Sequence, residues 1–222
     1  MTHQKRLSAP KHYPIEKKDQ TYITTSKDSR SPETSIPTLL FLREVTNYAD
    51  TKKEATQIVK QGKIKRNGQE IRDIQTALGT LDTVEIEDTE EKYRVITKTD
   101  KLAFQPLENA EQVTAKIVDK ALEDNQYVYR LHNGENLKTE EEYQTENTLI
   151  IENEEVQNEI EMEENQKAIV IQGKHAGKTG EITQITRQGR NPDTATLQND
   201  EEEFQTRLQN LVAINQEVQG VE

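Results

Sequence analysis

The sequence predicts an α+β protein made of several small domains. The chain has 222 residues, of which 31% are hydrophobic and 32% charged, and it contains no Trp. This composition suits several small cores better than one large core. Helix and strand signals are mixed in the first half, and short strands dominate the second. We therefore predict a basic N-terminal extension (1–35), a small α+β domain (36–98), a central β-rich domain (99–165) and a C-terminal β-barrel (166–222).

A helix is predicted to begin near Lys52. Thr51 and Glu54 stand three residues apart and match a capping box, in which two side chains satisfy backbone amides at the helix start. Gly62 follows the last apolar residues, as at a helix end. One face is apolar, and the opposite face carries Lys53, Gln57 and Lys60.

The dipeptide Asn67–Gly68 predicts a β-hairpin directly after this helix. Both residues of its two-residue turn need positive φ, which Asn and Gly adopt most easily. The resulting register places Ile64 opposite Ile71 on the inner face. Lys63 opposite Arg72 is a like-charge pair that costs stability unless an anion lies against it. The basic helix face and the basic hairpin together indicate a polyanion as partner.

Other elements complete the domain 36–98. Ser35–Pro37 is predicted to open an earlier helix, with proline near its first turn. Its apolar stripe has helical spacing and leaves Arg43 outside. Strands are predicted at 82–86 and 93–96. A unit of about sixty residues lies near the lower size limit for independent folding.

The extension 1–35 shows little apolar periodicity. It holds seven Lys/Arg, four Asp/Glu and three Pro. We expect it either to order on a partner or to remain a solubilising tail.

The central domain has weaker signals. Residues 113–118 fit a strand or a short helix, and 127–137 predict a second hairpin around Asn133–Gly134. A short buried strand is predicted at 148–151. The acidic run 152–164 is expected to be a solvated segment.

Strands at 167–172, 181–185, 194–197 and 211–214 suggest a small five-stranded barrel with a glycine-rich loop at 173–180. This loop imitates a nucleotide-binding P-loop, but three residues rather than four separate its first glycine from Gly177-Lys178-Thr179, and a β-rich run follows instead of a helix. Nucleotide hydrolysis is therefore not predicted. The loop either presents Lys174, His175 and Lys178 to an anion or a protein, or is a structural turn with solvated lysines.

Several function classes lack support in the sequence. The absence of Cys leaves no disulfide or thiolate site. The four His show no metal-ligand spacing, and no nucleophile motif or isolated carboxylate pair is present. No apolar run approaches a membrane span, and the N-terminus lacks the apolar centre of a signal peptide. We expect a soluble, intracellular protein without catalytic activity.

Charge is unevenly distributed. The net charge is −12, but residues 1–35 carry +3, residues 36–98 are neutral, and residues 99–222 carry −15. An acidic protein rich in Asn, Gln and Thr suits a cytoplasm holding molar salt. At about 1 M salt the Debye length is roughly 3 Å, so a polyanion would be bound through close contacts rather than a broad field.

Three segments, taken together and in order, are more specific than any one of them. They are HQKRLSAPKHYPIEKK at 3–18, SIPTLLFLREVTNYADTKKEATQIVKQGKIKRNGQEIRD at 35–73 and GKHAGKTGEI at 173–182. With these the chain resembles, over nearly its whole length, the archaeal and eukaryotic family of small-subunit ribosomal proteins designated S-four-e. The resemblance implies an S-four-like RNA-binding domain at 36–98 and a KOW domain, an SH3-like barrel, at 166–222.

The resemblance also implies the function. It implies a non-catalytic constituent of the ribosome, in the cytoplasm, that binds and stabilises folded small-subunit rRNA beside neighbouring small-subunit ribosomal proteins. It implies no cofactor, metal, membrane or small-molecule substrate. Transferred by position, the rRNA-binding residues are Lys5, Arg6, Lys11, Arg43, Lys52, Lys53, Lys60, Lys63, Lys65, Arg66, Arg72, Lys174, His175 and Lys178.

Two other functions stay open at the level of the sequence. One is a transient RNA-binding assembly or regulatory factor, and the other is an acidic scaffold for proteins that makes no RNA contact.

Overall fold

The computed structural model describes residues 4–28, 30–153, 155–187, 189, 191–215, 218 and 220–221. It divides into two compact units, Met1–Glu111 and Gln112–Glu222, called here the first and second unit. Strands are the predominant secondary structure of the described residues and helices are few, so the predicted α+β class is confirmed only in part.

In the described residues of the first unit, short helices accompany two two-stranded sheets and one five-stranded sheet, all antiparallel. The helical elements are a short 3-10 helix (Arg6–Ser8), α1 (Thr38–Leu40), which continues as a π-helical turn over Phe41–Val45, and α2 (Lys52–Lys60). The strands are β1 (Gln4–Lys5), β2 (Tyr22–Ile23), β3 (Ser35–Pro37), β4 (Ile64–Arg66), β5 (Gln69–Glu70), β6 (Ala77–Gly79), β7 (Thr83–Ile86), β8 (Glu91–Lys98) and β9 (Lys101–Pro106). β1 pairs with β2, β3 pairs with β6, and the remaining strands form a sheet in the order β5-β4-β7-β8-β9.

The N-terminal residues are part of the first core. Ala9, Tyr13 and Ile23 are buried and pack in one cluster with α1, α2 and the five-stranded sheet. The expectation that residues 1–35 order only on a partner is therefore wrong for the described part of that segment. Their few apolar side chains reach a core built by later residues.

The segment Ser35–Pro37 is a strand and does not open a helix as predicted. It pairs with Ala77–Gly79, about forty residues later, so that Ser35 lies opposite Gly79. Pro37 has extended backbone angles (φ −61°, ψ 140°) and precedes the first helical residue, Thr38. Proline can occupy this strand because β3 belongs to a two-stranded pair and is therefore an edge strand.

The five-stranded sheet continues past residue 98. β8 and β9 form a hairpin whose turn residues, Thr99 and Asp100, both have positive φ (49° and 61°). Residues 101–106 therefore pack with the first unit, where Leu102 is buried and Phe104 contacts the core.

The second unit contains two five-stranded antiparallel sheets. The first has the order β12-β11-β10-β13-β14, with strands β10 (Val113–Glu123), β11 (Gln126–Leu131), β12 (Asn136–Thr139), β13 (Thr148–Glu152) and β14 (Glu155–Ile160). The predicted hairpin around Asn133–Gly134 is confirmed by the pairing of β11 with β12. The acidic run 152–164 was expected to be a solvated segment. It instead contains the edge strand β14, which pairs with β13 and buries Ile160.

The second sheet of this unit has the order β18-β17-β16-β15-β19. Its strands are β15 (Lys167–Val170), β16 (Thr179–Thr186), β17 (Thr194–Gln198), β18 (Glu203–Arg207) and β19 (Leu211–Ala213). Four of these match predicted strands, and β18 is the one that the sequence pattern did not indicate. Gly180 is required by close packing, because a Cβ there would lie 2.9 Å from the backbone oxygen of Gln198.

A buried lysine connects β10 with the short 3-10 helix Leu208–Asn210. Lys116 is 3% exposed, and its Nζ donates a hydrogen bond of 2.6 Å to the carbonyl oxygen of Leu208. Burial lowers the pKa of Lys116 to about 8, and the nearby Glu146 carboxylate opposes part of this shift.

This lysine should give the protein a distinct alkaline pH dependence. Between about pH 8 and the unfolded value of 10.5, the unfolded chain holds a proton on Lys116 that the folded chain does not. The unfolding free energy should therefore rise through this window, by on the order of 3 kcal/mol relative to Lys116→Met. Denaturation of both proteins from pH 7 to 11 measures the difference. The control Lys138→Met removes an exposed lysine of the same sheet, and its unfolding free energy should change with pH as that of the wild type does. If the unfolding free energy of Lys116→Met also changes with pH as in the wild type, the expectation is wrong.

Candidate nucleic-acid interface

Helix α2 starts where the capping box predicts. The Thr51 Oγ1 accepts a hydrogen bond of 3.2 Å from the Glu54 amide, and the Glu54 carboxylate accepts one of 3.0 Å from the amide of Asp50. Ala55 and Val59 are fully buried against the core. The helix is therefore fixed in its orientation, and its opposite face is exposed.

That exposed face carries three lysines. Lys52, Lys53 and Lys60, called here the α2 lysine face, line a shallow depression of about 710 Å³ together with Thr56, Gln57 and Gln61. Within the described part of the chain, none of these three lysines forms an ion pair. Their charge is therefore available to an external anion.

The predicted hairpin is confirmed in turn type and register. Asn67 and Gly68 both have positive φ (52° and 79°), and Lys65 lies opposite Glu70. Ile64 and Ile71 are buried, and the Ile71 amide donates to the Ile64 carbonyl at 2.8 Å. The basic side chains lie on the outer surface of this hairpin.

The hairpin cations differ from the α2 lysine face because each has a carboxylate partner within the first unit. The pairs are Lys63 with Asp88 (2.6 Å), Lys65 with Glu87 (3.7 Å), Arg66 with Asp28 (2.8 Å), and Arg72 with Glu70. The ammonium of Lys63 and the hydroxyl of Tyr48 hold the pKa of Asp88 below its ordinary value. The sequence predicted that Lys63 and Arg72 repel each other unless an anion lies against them. Asp88 and Glu70 of the chain itself supply the negative charge that reduces this repulsion.

A buried aspartate that the sequence analysis missed anchors the turn. Asp82 is 1% exposed and accepts hydrogen bonds from the amide of Gly79 (2.7 Å) and the side-chain amide of Asn67 (2.9 Å). Its carboxylate also pairs with the guanidinium of Arg30. Burial lowers the pKa of Arg94 to about 10, and the Asp82 charge opposes this shift. Asn67 therefore serves the fold through its side chain as well as through its φ angle.

Arg6, one of the predicted RNA-binding residues, is buried and bonded within the first unit. Its side chain is 1% exposed, its Nη2 lies 2.8 Å from the Glu44 carboxylate, and its Nε donates to the carbonyl of Glu16. Arg6 therefore cannot reach a phosphate unless its side chain rearranges.

Arg43 is 18% exposed and lies 3.9 Å from the same Glu44. Lys5 and Lys11 are exposed, and neither forms an ion pair within the described residues.

The glycine-rich loop of the second unit presents its three candidate residues differently. Lys174 is exposed, whereas the His175 ring stacks on Phe204 with 4.8 Å between ring centroids. Lys178 pairs with Glu202, whose pKa it lowers, and its Nζ lies 5.6 Å from the Phe204 ring centre. Gly173 and Gly177 have positive φ (97° and 88°), which lets the loop turn sharply.

Among the described residues, no group of three or more His, Cys, Asp or Glu is arranged to hold a metal ion. None of the helices in the described part of the chain has the length and apolar content needed to cross a membrane.

Comparisons with known proteins agree on one family. The KOW motif model matches residues 164–198. Small ribosomal subunit protein eS4 of Natronomonas pharaonis is 31% identical, with 96% of this chain and 95% of that protein covered. The eS4 protein of Methanocaldococcus jannaschii is 32% identical, with 92% and 90% covered.

A solved structure shows the same fold. The crystal structure of 30S ribosomal protein S4e from Thermoplasma acidophilum superposes with a TM-score of 0.69 at 23% identity, covering 82% of this chain and 95% of that one. Together with the near full-length sequence matches, this establishes the relationship. The chain belongs to the family of small ribosomal subunit proteins eS4.

Proposed function

We propose that the chain is a structural, non-enzymatic constituent of the small ribosomal subunit, in the cytoplasm, and that it binds and stabilises folded small-subunit rRNA. Its relatives are named as small ribosomal subunit proteins and span almost the same length as this chain. What the fold supplies is a set of rigid surfaces on which cations are held at fixed positions.

The observation that carries the rRNA contact is the α2 lysine face. In a protein of net charge −12, carboxylates outnumber cations and neutralise most of the hairpin's basic side chains. On the capped helix α2, Lys52, Lys53 and Lys60 have no carboxylate partner among the described residues. Phosphate oxygens are the anions that RNA offers to such lysines, and contacts to them fix the position of a protein on folded RNA.

The other predicted contacts fall into two groups. Lys5, Lys11 and Lys174 are exposed and have no ion pair among the described residues, so they can meet phosphate directly. The paired cations would have to exchange a carboxylate for a phosphate, and this set comprises Arg43, Lys63, Lys65, Arg66, Arg72 and Lys178. His175 is stacked on Phe204 and partly exposed. Arginine can grip a phosphate with two parallel hydrogen bonds, which favours Arg43 and Arg66 for such an exchange.

We further propose the finer domain layout. It comprises a basic extension at 1–35, an S-four-like RNA-binding domain at 36–98 and a central β-rich domain at 99–165, of which Lys101–Pro106 add a strand to the sheet of the first unit. A KOW domain with an SH3-like barrel occupies 166–222, and its five strands and glycine-rich loop support this assignment. The acidic surfaces of residues 99–222 face solvent or neighbouring small-subunit ribosomal proteins.

Sedimentation of native particles tests the function. The protein should migrate with small subunits in a sucrose gradient at the salt concentration of its own cytoplasm, at one copy per subunit by quantitative mass spectrometry. Protein remaining at the top of the gradient would exclude a structural role. Clearly substoichiometric amounts in mature subunits would point to a transient assembly factor.

A further inference from the structure

Two lysines face each other beside the turn of the β8–β9 hairpin. Lys98 and Lys101 are directly opposed in the register of this hairpin, and both are exposed. Directly opposed side chains have Cβ atoms about 5 Å apart on one face of the sheet, and like charges in this arrangement are destabilising. The repulsion between these lysines is therefore a cost to the free protein unless an anion lies against them.

No carboxylate among the described residues offsets this repulsion. Neither Lys98 nor Lys101 forms an ion pair in that part of the chain, although Asp100 lies in the turn between them. The Nζ of Lys98 lies 3.5 Å from the Oε1 of Gln105, which is a neutral acceptor. Both ammonium groups thus keep their full charge at the surface.

The hairpin around Asn67–Gly68 shows how the same chain offsets such a pair elsewhere. There Lys63 and Arg72 each have a carboxylate partner, Asp88 and Glu70 respectively. The chain holds 41 Asp and Glu against 29 Lys and Arg, so carboxylates are not scarce. The pair at the β8–β9 turn therefore indicates an anion that comes from outside the chain.

A third lysine lies beside this pair. The amide of Leu102 donates a hydrogen bond of 2.8 Å to the carbonyl of His12, so the N-terminal segment meets the hairpin at this point. Lys101 and Lys11 directly precede these two residues, and Lys11 is exposed without an ion pair in the described part of the chain. Because Leu102 is buried in the core, the backbone that carries these lysines is fixed before a ligand binds.

We propose that Lys11, Lys98 and Lys101, called here the turn lysine patch, bind the sugar–phosphate backbone of the rRNA. Lys98 and Lys101 hold one phosphate between their ammonium groups, and Lys11 contacts another phosphate of the same strand. Hydrogen bonds from ammonium to phosphate are charge-assisted and stronger than those between neutral groups. The bound phosphate removes the repulsion that the free protein carries, so binding gains from both effects.

The proposal rests on the proposed rRNA-binding function and adds a contact surface at the β8–β9 turn, with Lys98 and Lys101 as its new residues. An acidic segment of a neighbouring protein would also attract these lysines. RNA is favoured because every nucleotide carries a negative charge, so one strand supplies anions to lysines on two separate segments. A protein would need acidic side chains at matching positions.

The first test uses Lys101→Glu, which turns the like-charge pair into an opposite-charge pair. In low salt the melting temperature of the free protein should rise, because opposite charges directly across two strands attract each other. The affinity for protein-free small-subunit rRNA should fall, and the slope of log affinity against log salt should decrease by roughly 1 to 2. A lower melting temperature or an unchanged slope would overturn the proposal.

A neutral double variant separates loss of contact from added repulsion. Lys98→Gln/Lys101→Gln should also reduce the slope by roughly 1 to 2. The matched control Arg130→Gln/Lys138→Gln removes the same charge from exposed positions of another hairpin, where Asp119 and Glu123 are the partners. The control should leave the slope unchanged, and an equal loss of slope in both variants would show that only net charge matters and overturn the proposal.

Cleavage from the turn identifies the ligand in the assembled subunit. The chain has no Cys, so Thr99→Cys at this exposed turn gives a single attachment point for an iron chelate that cuts nearby RNA. In assembled small subunits the chelate should cut rRNA at adjacent nucleotides. Absence of cuts, or a photoreactive group on the same thiol that links only to another protein, would contradict the inference.

Failure of this inference differs from failure of the proposed function. If the wild type itself does not bind rRNA, the proposed function is wrong. If the wild type binds and the variants at Lys98 and Lys101 match it, only the turn lysine patch is wrong.

Discussion

Asp82→Ala should cost the first unit about 3 to 5 kcal/mol of unfolding free energy. Asp82 is fully buried, and its carboxylate neutralises the buried guanidinium of Arg30 and faces that of Arg94. Without it both cations remain in the core with less compensation, and the amide groups of Gly79 and Asn67 lose their acceptor. Urea denaturation of the full chain, followed by hydrogen exchange at the turn 67–68, measures both effects.

Three further variants sharpen this test. Asp82→Asn keeps the shape and can still accept hydrogen bonds, so it should lose less stability than Asp82→Ala. Asp88→Ala removes an exposed carboxylate that pairs with Lys63 at the solvent-facing surface, and it should leave the stability almost unchanged. Arg30→Met combined with Asp82→Ala removes one of the two cations that lose compensation and should recover part of the loss. A loss below about 1 kcal/mol for Asp82→Ala would show that the buried pair does not hold the unit together.

The features that could be predicted from the sequence are those whose signals lie within a few residues. The start of α2 is set by the capping box of Thr51 and Glu54, and the hairpin register is set by Asn67–Gly68. Each involves residues no more than about six positions apart, so each pattern specifies its own geometry.

The features that were missed depend on distant partners. The sequence of Ser35–Pro37 predicts a helix start, but the segment is a strand because it pairs with Ala77–Gly79. The acidic strand Glu155–Ile160 forms because β13 offers it an edge, and its composition alone disfavours a strand. Tertiary pairing overrides local propensity in both cases.

The same distinction limits prediction of the site. The sequence identifies which residues are basic, but whether a cation is available depends on carboxylates far along the chain. Arg66 meets Asp28, and Arg6 meets Glu44, across 38 positions in each case. The sequence placed available charge on both helix α2 and the hairpin, and the structure shifts it toward helix α2 because carboxylates pair with the hairpin cations.

That shift leads to the most direct test of the proposed interface. Lys52→Gln/Lys53→Gln/Lys60→Gln should reduce the slope of log affinity for small-subunit rRNA against log salt by roughly 2 to 3, since three phosphate contacts would be lost. The matched variant Lys63→Gln/Lys65→Gln/Arg72→Gln removes the same charge from side chains that already have carboxylate partners. It should change the slope by less, because those cations release fewer counterions when RNA binds.

Comparing the two triple variants decides between two surfaces of one domain. All six positions lie on the surface, so both proteins should fold with stabilities within about 1 kcal/mol of the wild type, which thermal denaturation can verify. If the hairpin variant loses as much slope as the helix variant, RNA displaces the internal carboxylates and the ion pairs seen in the free chain are exchanged on binding. If only the hairpin variant loses slope, the α2 lysine face does not contact phosphate. A loss confined to the helix variant would mean that the acidic protein keeps its RNA contacts where its own carboxylates do not compete.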